Sequence, residues 1–130
     1  MKKVIEAATL ARENAYVPYS HFKVGAALLL KDGSIIKGCN VENASYGLCN
    51  CAERTALFTA YAAGYQKDDI VAMSISGDTV APISPCGACR QVMAELLNKE
   101  TPVYLTNLKG DVKEVTVGEL LPYSFDASDL

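Results

Sequence analysis

Hydrophobic positions along the chain change between helical and extended spacing. Apolar residues recur every three or four positions from about residue 2 to residue 15, which predicts an amphipathic helix. The segment 22–30 is apolar or small on both faces and predicts a strand that is buried on both sides. A turn signal at 31–34 leads into a partner strand at 35–39. The chain is therefore expected to open with a helix and a β-hairpin.

The rest of the chain alternates helices with strands. A mostly apolar segment at about 51–63 predicts a buried helix, with Gly64 just beyond its end. Strands are predicted at 70–75, 102–106 and 112–116, and another helix follows Cys86. The last two strands are joined by too few residues for a parallel crossover, so we expect an antiparallel hairpin.

Two further features complete the predicted fold. Thr116 and Glu119 have the spacing of a capping box, which predicts a short final helix. No repeat, low-complexity tract or linker interrupts the pattern. We therefore expect residues 1–130 to form one domain, an α/β fold with three α/β/α layers around a five-stranded mixed sheet.

Composition narrows the class of protein. Half of the 130 residues are hydrophobic, which argues against disorder. A net charge of −3 and a pI near 5.1 argue against a general nucleic-acid binder. No apolar run approaches the roughly 20 residues of a membrane span, and the N-terminal segment lacks the pattern of a signal peptide. We expect a cytoplasmic protein that does not act at a membrane.

Two cysteine clusters carry the candidate chemistry. They are CNCAER at 49–54 and PCGACR at 85–90, and each precedes a predicted helix. Cys86 and Cys89 are three residues apart, so both can face one way from a first helical turn. Five cysteines is an odd number, which in a reducing compartment favours a metal site or free thiols over disulfides. The clusters therefore predict a metal site that is rich in sulfur.

The helix starts explain how thiolates could gather there. Asn50 and the pair Ser84 and Pro85 are typical residues at a helix start. The unpaired N–H groups and the positive dipole end of a helix stabilise a thiolate. Two such ends meeting at one metal would offset the charge of three thiolates, and Arg54 and Arg90 could offset it further.

The pattern suggests a catalytic zinc site. Cys51, Cys86 and Cys89 would bind the ion, and a water in the fourth position would have its pKa lowered to about 7. Glu53 could move protons between that water and a substrate nitrogen. A ligand-x-Glu segment followed by Pro-Cys-x-x-Cys is the signature of zinc deaminases, and this match favours the catalytic interpretation.

Simpler interpretations remain open from spacing alone. A closed site with a fourth sulfur, from Cys39 or Cys49, would hold the fold together and catalyse nothing. Glu53 could only close a capping box with Asn50. Otherwise Cys39 and Cys49 are expected to be plain thiols, and the single histidine, His21, an ordinary surface residue.

Several segments resemble the small, homotetrameric cytidine deaminases of pyrimidine salvage. The matching segments are YVPYSHFKVGAA at 16–27, GCNVENA at 38–44, CAERTA at 51–56, SPCGACRQ at 84–91 and LLP at 120–122 with Phe125. The resemblance covers nearly the whole chain. It implies hydrolytic deamination of cytidine and 2′-deoxycytidine to uridine and 2′-deoxyuridine, with release of ammonia.

The resemblance also implies roles for the residues around the metal. Cys51, Cys86 and Cys89 would bind one Zn²⁺ per subunit, and Glu53 would be the proton shuttle for hydroxide attack at C4. Arg54 would donate hydrogen bonds to the thiolates and balance their charge.

Other matched positions would bind the nucleoside. Asn40 and Glu42 would bond the ribose hydroxyls, and Phe22 would line the pocket. The backbone around Ala52 and Ser84 would recognise the polar edge of the pyrimidine.

The same resemblance implies an assembly. Phe125 would reach the active site of a neighbouring subunit in a homotetramer. Alternative functions are a related deaminase acting on blasticidin S or on a base in nucleic acid, and a non-catalytic structural zinc module.

Overall fold

A computed structural model describes all residues from Met1 to Leu130. The helices are α1 (Lys2–Ala11), α2 (Ala52–Ala62), α3 (Gly87–Leu96) and α4 (Val117–Leu120). The strands are β1 (Val24–Leu30), β2 (Ile35–Cys39), β3 (Ile70–Gly77), β4 (Pro102–Asn107) and β5 (Val112–Thr116). None of these helices is long and apolar enough to cross a membrane.

The five strands form one mixed sheet in the order β2-β1-β3-β4-β5. Only β3 and β4 are parallel, and they are connected through α3. The hairpin of β4 and β5 is antiparallel, because its short connection allows nothing else. The predicted mixed sheet and final hairpin are confirmed.

Helices cover both faces of the sheet. On one face, Val4 and Ala8 of α1 pack with Ala27, Ala72 and Tyr104. The other face carries the larger core, in which side chains of α2 and α3 meet those of the central strands; it includes Leu28, Leu57, Met73, Ile75, Met93 and Val103. Neighbouring residues in β1, Ala27 and Leu28, point to opposite faces, as the period of a strand requires. The three-layer α/β/α prediction is confirmed.

Some predicted boundaries were wrong. The first helix ends at Ala11, not near residue 15, and a 3₁₀ turn at Arg12–Asn14 follows it. Ala15 is extended, and Tyr16 forms an isolated parallel bridge with Val41. The segment that follows the 3₁₀ turn, at residues 15–16, thus lies beside the 40–42 loop. β3 continues to Gly77 because Ser76 and Gly77 still pair with β4.

Helix α2 lies unusually close to β2. A methyl group on Gly38 would be 2.5 Å from the backbone nitrogen of Ala56 and 2.6 Å from the carbonyl oxygen of Ala52. Both distances are shorter than an ordinary contact of a side-chain carbon. Only glycine, which has no such carbon, therefore allows α2 to lie this close to β2. The contact sets the position of the N-terminal turn of α2, where Cys51 and Glu53 lie.

Candidate active site

Three cysteine sulfurs meet at the N-termini of two helices. Cys51 is the N-cap of α2 and Cys86 is the N-cap of α3, both with extended backbones. Cys89 lies in the first turn of α3 and is fully buried. The three sulfurs lie within 4.8 Å of one another, and those of Cys51 and Cys86 are 4.0 Å apart. The structure therefore brings the three predicted ligands together.

The other two cysteines lie outside this cluster. Cys39 ends β2, and its half-buried thiol has a pKa raised by burial. The sulfur of Cys49 accepts a hydrogen bond of 3.2 Å from the backbone N–H of Asn43. A set of three protein ligands is typical of catalytic zinc, whereas structural zinc sites are closed by four. This geometry favours the open site.

The charges around Cys51 favour its thiolate form. Hydrogen bonding from Cys89 and from Arg54 lowers the pKa of Cys51 to about 5. Nη2 of Arg54 lies 3.3 Å from the Cys51 sulfur, and this bond raises the pKa of the guanidinium. The Cys51 thiolate and burial raise the pKa of Cys89. Three soft sulfur donors beside one cation fit a Zn²⁺ ion.

Arg90, the second cation expected to offset the thiolate charge, forms its hydrogen bonds with oxygen atoms. Its guanidinium donates to the carbonyl oxygens of Pro85 and Leu120, each at 2.8 Å, and to the hydroxyl of Ser84 at 2.7 Å. Arg90 thus holds the loop before Cys86 against the end of α4.

The predicted helix starts were displaced by one or two residues. Neither Asn50 nor Ser84 is an N-cap, because Cys51 and Cys86 occupy those positions without a side-chain cap. The Asn50 amide instead donates to the Thr55 hydroxyl at 3.1 Å. Since the N-cap is Cys51, Glu53 does not close a capping box there.

Glu53 is a buried acid beside the sulfur cluster. It lies in the first turn of α2, and only 4% of its surface is exposed. Burial, together with the negative charge of Cys51, raises the pKa of Glu53 to about 7. A carboxyl group with a pKa near neutrality can both give and take a proton.

An open cleft of about 230 Å³ leads to this acid and to two of the sulfurs. Its lining includes seven residues predicted from the sequence: Phe22, Asn40, Cys51, Ala52, Glu53, Ser84 and Cys86. Val24 and Ile83 also line the cleft, and sequence reasoning missed them. They are ordinary apolar residues, and only their positions could have pointed to them: Val24 lies within the matched segment 16–27, and Ile83 directly precedes the one at 84–91.

Gly77 makes room for the apolar wall. A methyl group on Gly77 would lie 2.5 Å from Cδ1 of Ile83 and 3.4 Å from Cζ of Phe22. The end of β3 thus allows both side chains to face the cleft. Phe22 remains 39% exposed, so its ring is available to a ligand.

Asn40 connects the cleft to the strand behind it. Its amide oxygen accepts from the N–H of Val24 at 2.9 Å, and its amide nitrogen donates to the carbonyl oxygen of Phe22 at 2.8 Å. One amide hydrogen is left for a ligand, since the group has two.

Glu42 and Phe125 lie outside the cleft lining. Glu42 lines a neighbouring hollow of about 210 Å³ with Tyr19, Ser20 and Tyr46. Phe125 lies on the C-terminal tail with 60% of its surface exposed, and its carbonyl oxygen accepts from the side chain of Gln91. His21 is exposed as expected, with a left-handed φ of 57°.

Comparisons with known proteins agree with this geometry. The family model described as the cytidine and deoxycytidylate deaminase zinc-binding region matches residues 1–105. A cytidine deaminase of Halalkalibacterium halodurans is 63% identical over 127 residues, covering 98% of this chain and 95% of that protein.

Solved structures show the same fold. A crystal structure of cytidine deaminase from Burkholderia pseudomallei superposes with a TM-score of 0.93 at 60% identity, covering 95% of this chain and 98% of that one. A cytidine deaminase structure from Mycobacterium tuberculosis gives 0.81 at 37% identity, covering 95% of each chain. With the family model matching most of its length, the chain belongs to the cytidine and deoxycytidylate deaminase zinc-binding family.

Proposed function

We propose that this protein hydrolytically deaminates cytidine and 2′-deoxycytidine to uridine and 2′-deoxyuridine, releasing ammonia, in pyrimidine salvage. One observation carries the proposal: an open cluster of three cysteines adjoins a buried carboxyl group at a cleft. The similar proteins named cytidine deaminase support the choice of substrate.

Cys51, Cys86 and Cys89 are the proposed ligands of one zinc ion per chain. The sulfurs are close enough to share one ion, and two helix N-termini and Arg54 offset their negative charge. When bound, zinc supplies Lewis-acid activation of water for attack at C4 of the cytosine ring.

Glu53 is the proposed proton carrier. Its raised pKa leaves both protonation states available near neutral pH. As the base it takes one proton from the attacking water, and as the acid it passes this proton to N3 of the cytosine ring, which makes C4 more electrophilic. The new C4 hydroxyl keeps the second proton of the water. Glu53 then moves that proton to the amino group, the C4–N bond breaks, the C4 carbonyl forms and ammonia leaves. Acid–base catalysis of this kind contributes about 10²–10⁴-fold to the rate.

Residues of the cleft, together with Glu42 in the neighbouring hollow, would orient the nucleoside. The free amide hydrogen of Asn40 and the carboxylate of Glu42 are the proposed partners of the sugar hydroxyls, one a donor and the other an acceptor. The ring of Phe22 forms an apolar wall. Backbone groups at Ala52 and Ser84, which line the same cleft, would bond the polar edge of the pyrimidine.

Metal analysis and a cytidine assay on the same preparation test the proposal. We expect about one zinc per chain and a decrease in the cytidine absorbance that matches ammonia release. Activity confined to oligonucleotides or to blasticidin S would replace the proposed substrate. Bound zinc without any turnover would instead support a structural module.

We also propose that residues 1–130 act as one domain within a homotetramer. The larger core draws on side chains from Val24 to Leu120, which supports a single folding unit. Large apolar side chains remain exposed on the loops and the tail, including Tyr46, Leu48, Tyr123 and Phe125. Exposed apolar surface of this kind is typical of subunit contacts. The thiolates that the site needs persist in a reducing compartment, so the cytoplasm is the proposed location.

A further inference from the structure

The Glu42 carboxylate is held entirely by the short segment before Phe22. Its Oε1 accepts from the backbone N–H groups of Tyr19 and Ser20 at 3.2 and 3.1 Å. Its Oε2 accepts from the hydroxyl of Ser20. The hydroxyl bond is therefore the one contact that sets the direction of Oε2.

The Ser20 hydroxyl is itself held in place. Its oxygen accepts a hydrogen bond of 3.0 Å from the backbone N–H of Phe22. Because that N–H can only donate, the hydroxyl hydrogen is free to point at Glu42. One oxygen atom thus joins the carboxylate of Glu42 to the backbone of the aromatic residue that lines the cleft.

The hydrogen bonds within the chain leave one acceptor position of the Glu42 carboxylate free. An ionised carboxylate has about four lone-pair positions. Two on Oε1 and one on Oε2 are used within the chain, so one position on Oε2 is left for a ligand hydroxyl. Hydrogen bonding by Ser20 is also the largest cause that lowers the pKa of Glu42, so the group stays ionised and acts only as an acceptor.

We propose that Ser20 is a positioning residue for nucleoside binding: it aims the remaining acceptor position of Glu42 Oε2 at a sugar hydroxyl and links that position to the Phe22 wall. This inference rests on the proposed function, in which Glu42 bonds the sugar. Ser20 does not touch the reacting atoms, so its effect appears in binding and not in the chemical step.

A Ser20→Ala variant tests the proposal through the split between KM and kcat. Loss of one hydrogen bond to a charged group corresponds to about a tenfold rise in KM for cytidine. We expect kcat to change by less than about twofold, because uniform binding is lost while Glu53 and the cysteines are intact. Ser20→Thr, which keeps the hydroxyl, should restore a KM near that of the unmodified protein.

A substrate without sugar hydroxyls gives a second test of the role of Ser20. With 2′,3′-dideoxycytidine, which has no sugar hydroxyl for Glu42 to accept, Ser20→Ala should change KM by less than about twofold. Ser34→Ala is the matched control, because the Ser34 hydroxyl also donates to a carboxylate, that of Asp32, in an exposed turn outside the cleft. This control should leave both substrates unaffected.

Three results would overturn the proposal. They are an unchanged KM for cytidine in Ser20→Ala, an equal defect with the dideoxynucleoside, and an equal defect in Ser20→Thr. Failure of the proposed function would give a different result: the unmodified, zinc-loaded protein would not deaminate cytidine at all.

Discussion

At the scale of single residues, the start of α2 carries both a sulfur of the cluster and the buried acid. Cys51 caps α2 and presents its sulfur to the cluster, while Glu53 turns into the protein and is buried. Arg54, the next residue, donates back to the Cys51 sulfur. The short spacing of these side chains keeps an acid, a proposed metal ligand and a cation at nearby positions in one helical turn. A substitution of Glu53 should therefore affect turnover, whereas a substitution of Cys51 should affect metal binding.

Replacing Glu53 with glutamine should abolish most turnover and leave the metal in place. The amide has nearly the same shape but cannot carry protons, so we expect kcat to fall about 10²–10⁴-fold. Zinc content by metal analysis should stay near that of the unmodified protein, because Glu53 is not a proposed ligand. Retained turnover in a variant with full zinc occupancy would contradict the proton-carrier role.

Replacing Cys51 with serine should weaken metal binding directly. We expect zinc affinity to fall by at least about 10–100-fold, the typical cost of losing even an outer partner of a metal ligand. Competition with a coloured chelator measures this change. Cys39→Ser is the matched control, because Cys39 lies on β2 outside the sulfur cluster. Equal zinc affinity in the two variants would argue against Cys51 as a ligand.

At the scale of elements, the site depends on how helices meet the sheet. The two helices that carry the cysteines, α2 and α3, pack on the same face, so that their N-termini converge. The close contact of α2 with β2 at Gly38 sets one of these ends. Arg90 sets the other end by bonding the loop before Cys86 to the end of α4.

A Gly38→Ala variant should push α2 away from β2. The added methyl group would lie within 2.6 Å of two backbone atoms of α2, which cannot move independently. We expect the free energy of unfolding to fall by about 1–3 kcal/mol, as for other overpacked sites. Urea denaturation measures the change. Gly47→Ala, where nothing lies within 4 Å, should stay within about 0.5 kcal/mol; equal stability of the two variants would show that the contact relaxes freely.

At the scale of the whole molecule, the C-terminal tail has little cover from its own chain. Tyr123 is fully exposed with a left-handed φ of 54°, and Phe125 is mostly exposed. Contacts at Gln91 and at Lys99, which pairs with Asp126 at 3.3 Å, hold the tail against the domain. The tail is thus anchored while its aromatic rings face outward. A neighbouring subunit would explain both observations.

A mass measurement in solution tests the proposed assembly. We expect about four times the 13.9 kDa of one chain, because the exposed apolar loops would be buried between subunits. Light scattering after size-exclusion chromatography gives the mass without assuming a shape. A monomer at micromolar concentration would contradict the tetramer.

Removing residues 123–130 tests whether the tail completes a partner's site. We expect lower kcat/KM for cytidine, with zinc content unchanged because the cysteines are intact. Phe125→Ala separates the ring from the rest of the tail and should reproduce most of the loss. Full activity in both variants would remove Phe125 from the proposed site.

Local patterns in the sequence were sufficient to predict most of the fold. The spacing of apolar residues predicted the strands and the main helices, and the short connection after β4 excluded a parallel pair. The capping box of Thr116 and Glu119 was also confirmed, because both of its bonds lie within four residues. Boundaries such as the end of α1 were wrong where long-range contacts decided them. The turn at Arg12–Asn14 leads to Tyr16, which pairs with Val41, and no local pattern reveals that partner in the 40–42 loop.

The sequence by itself determined the identity of the chemical groups at the site: which residues are thiols, which is the acid, and that both cysteine clusters precede helices. These are properties of residue type and short spacing. Only the tertiary structure decided which sulfurs meet, because the distance between residues 51 and 86 depends on how α2 and α3 pack on the sheet. It also decided the raised pKa of Glu53, since burial is a property of the surrounding fold.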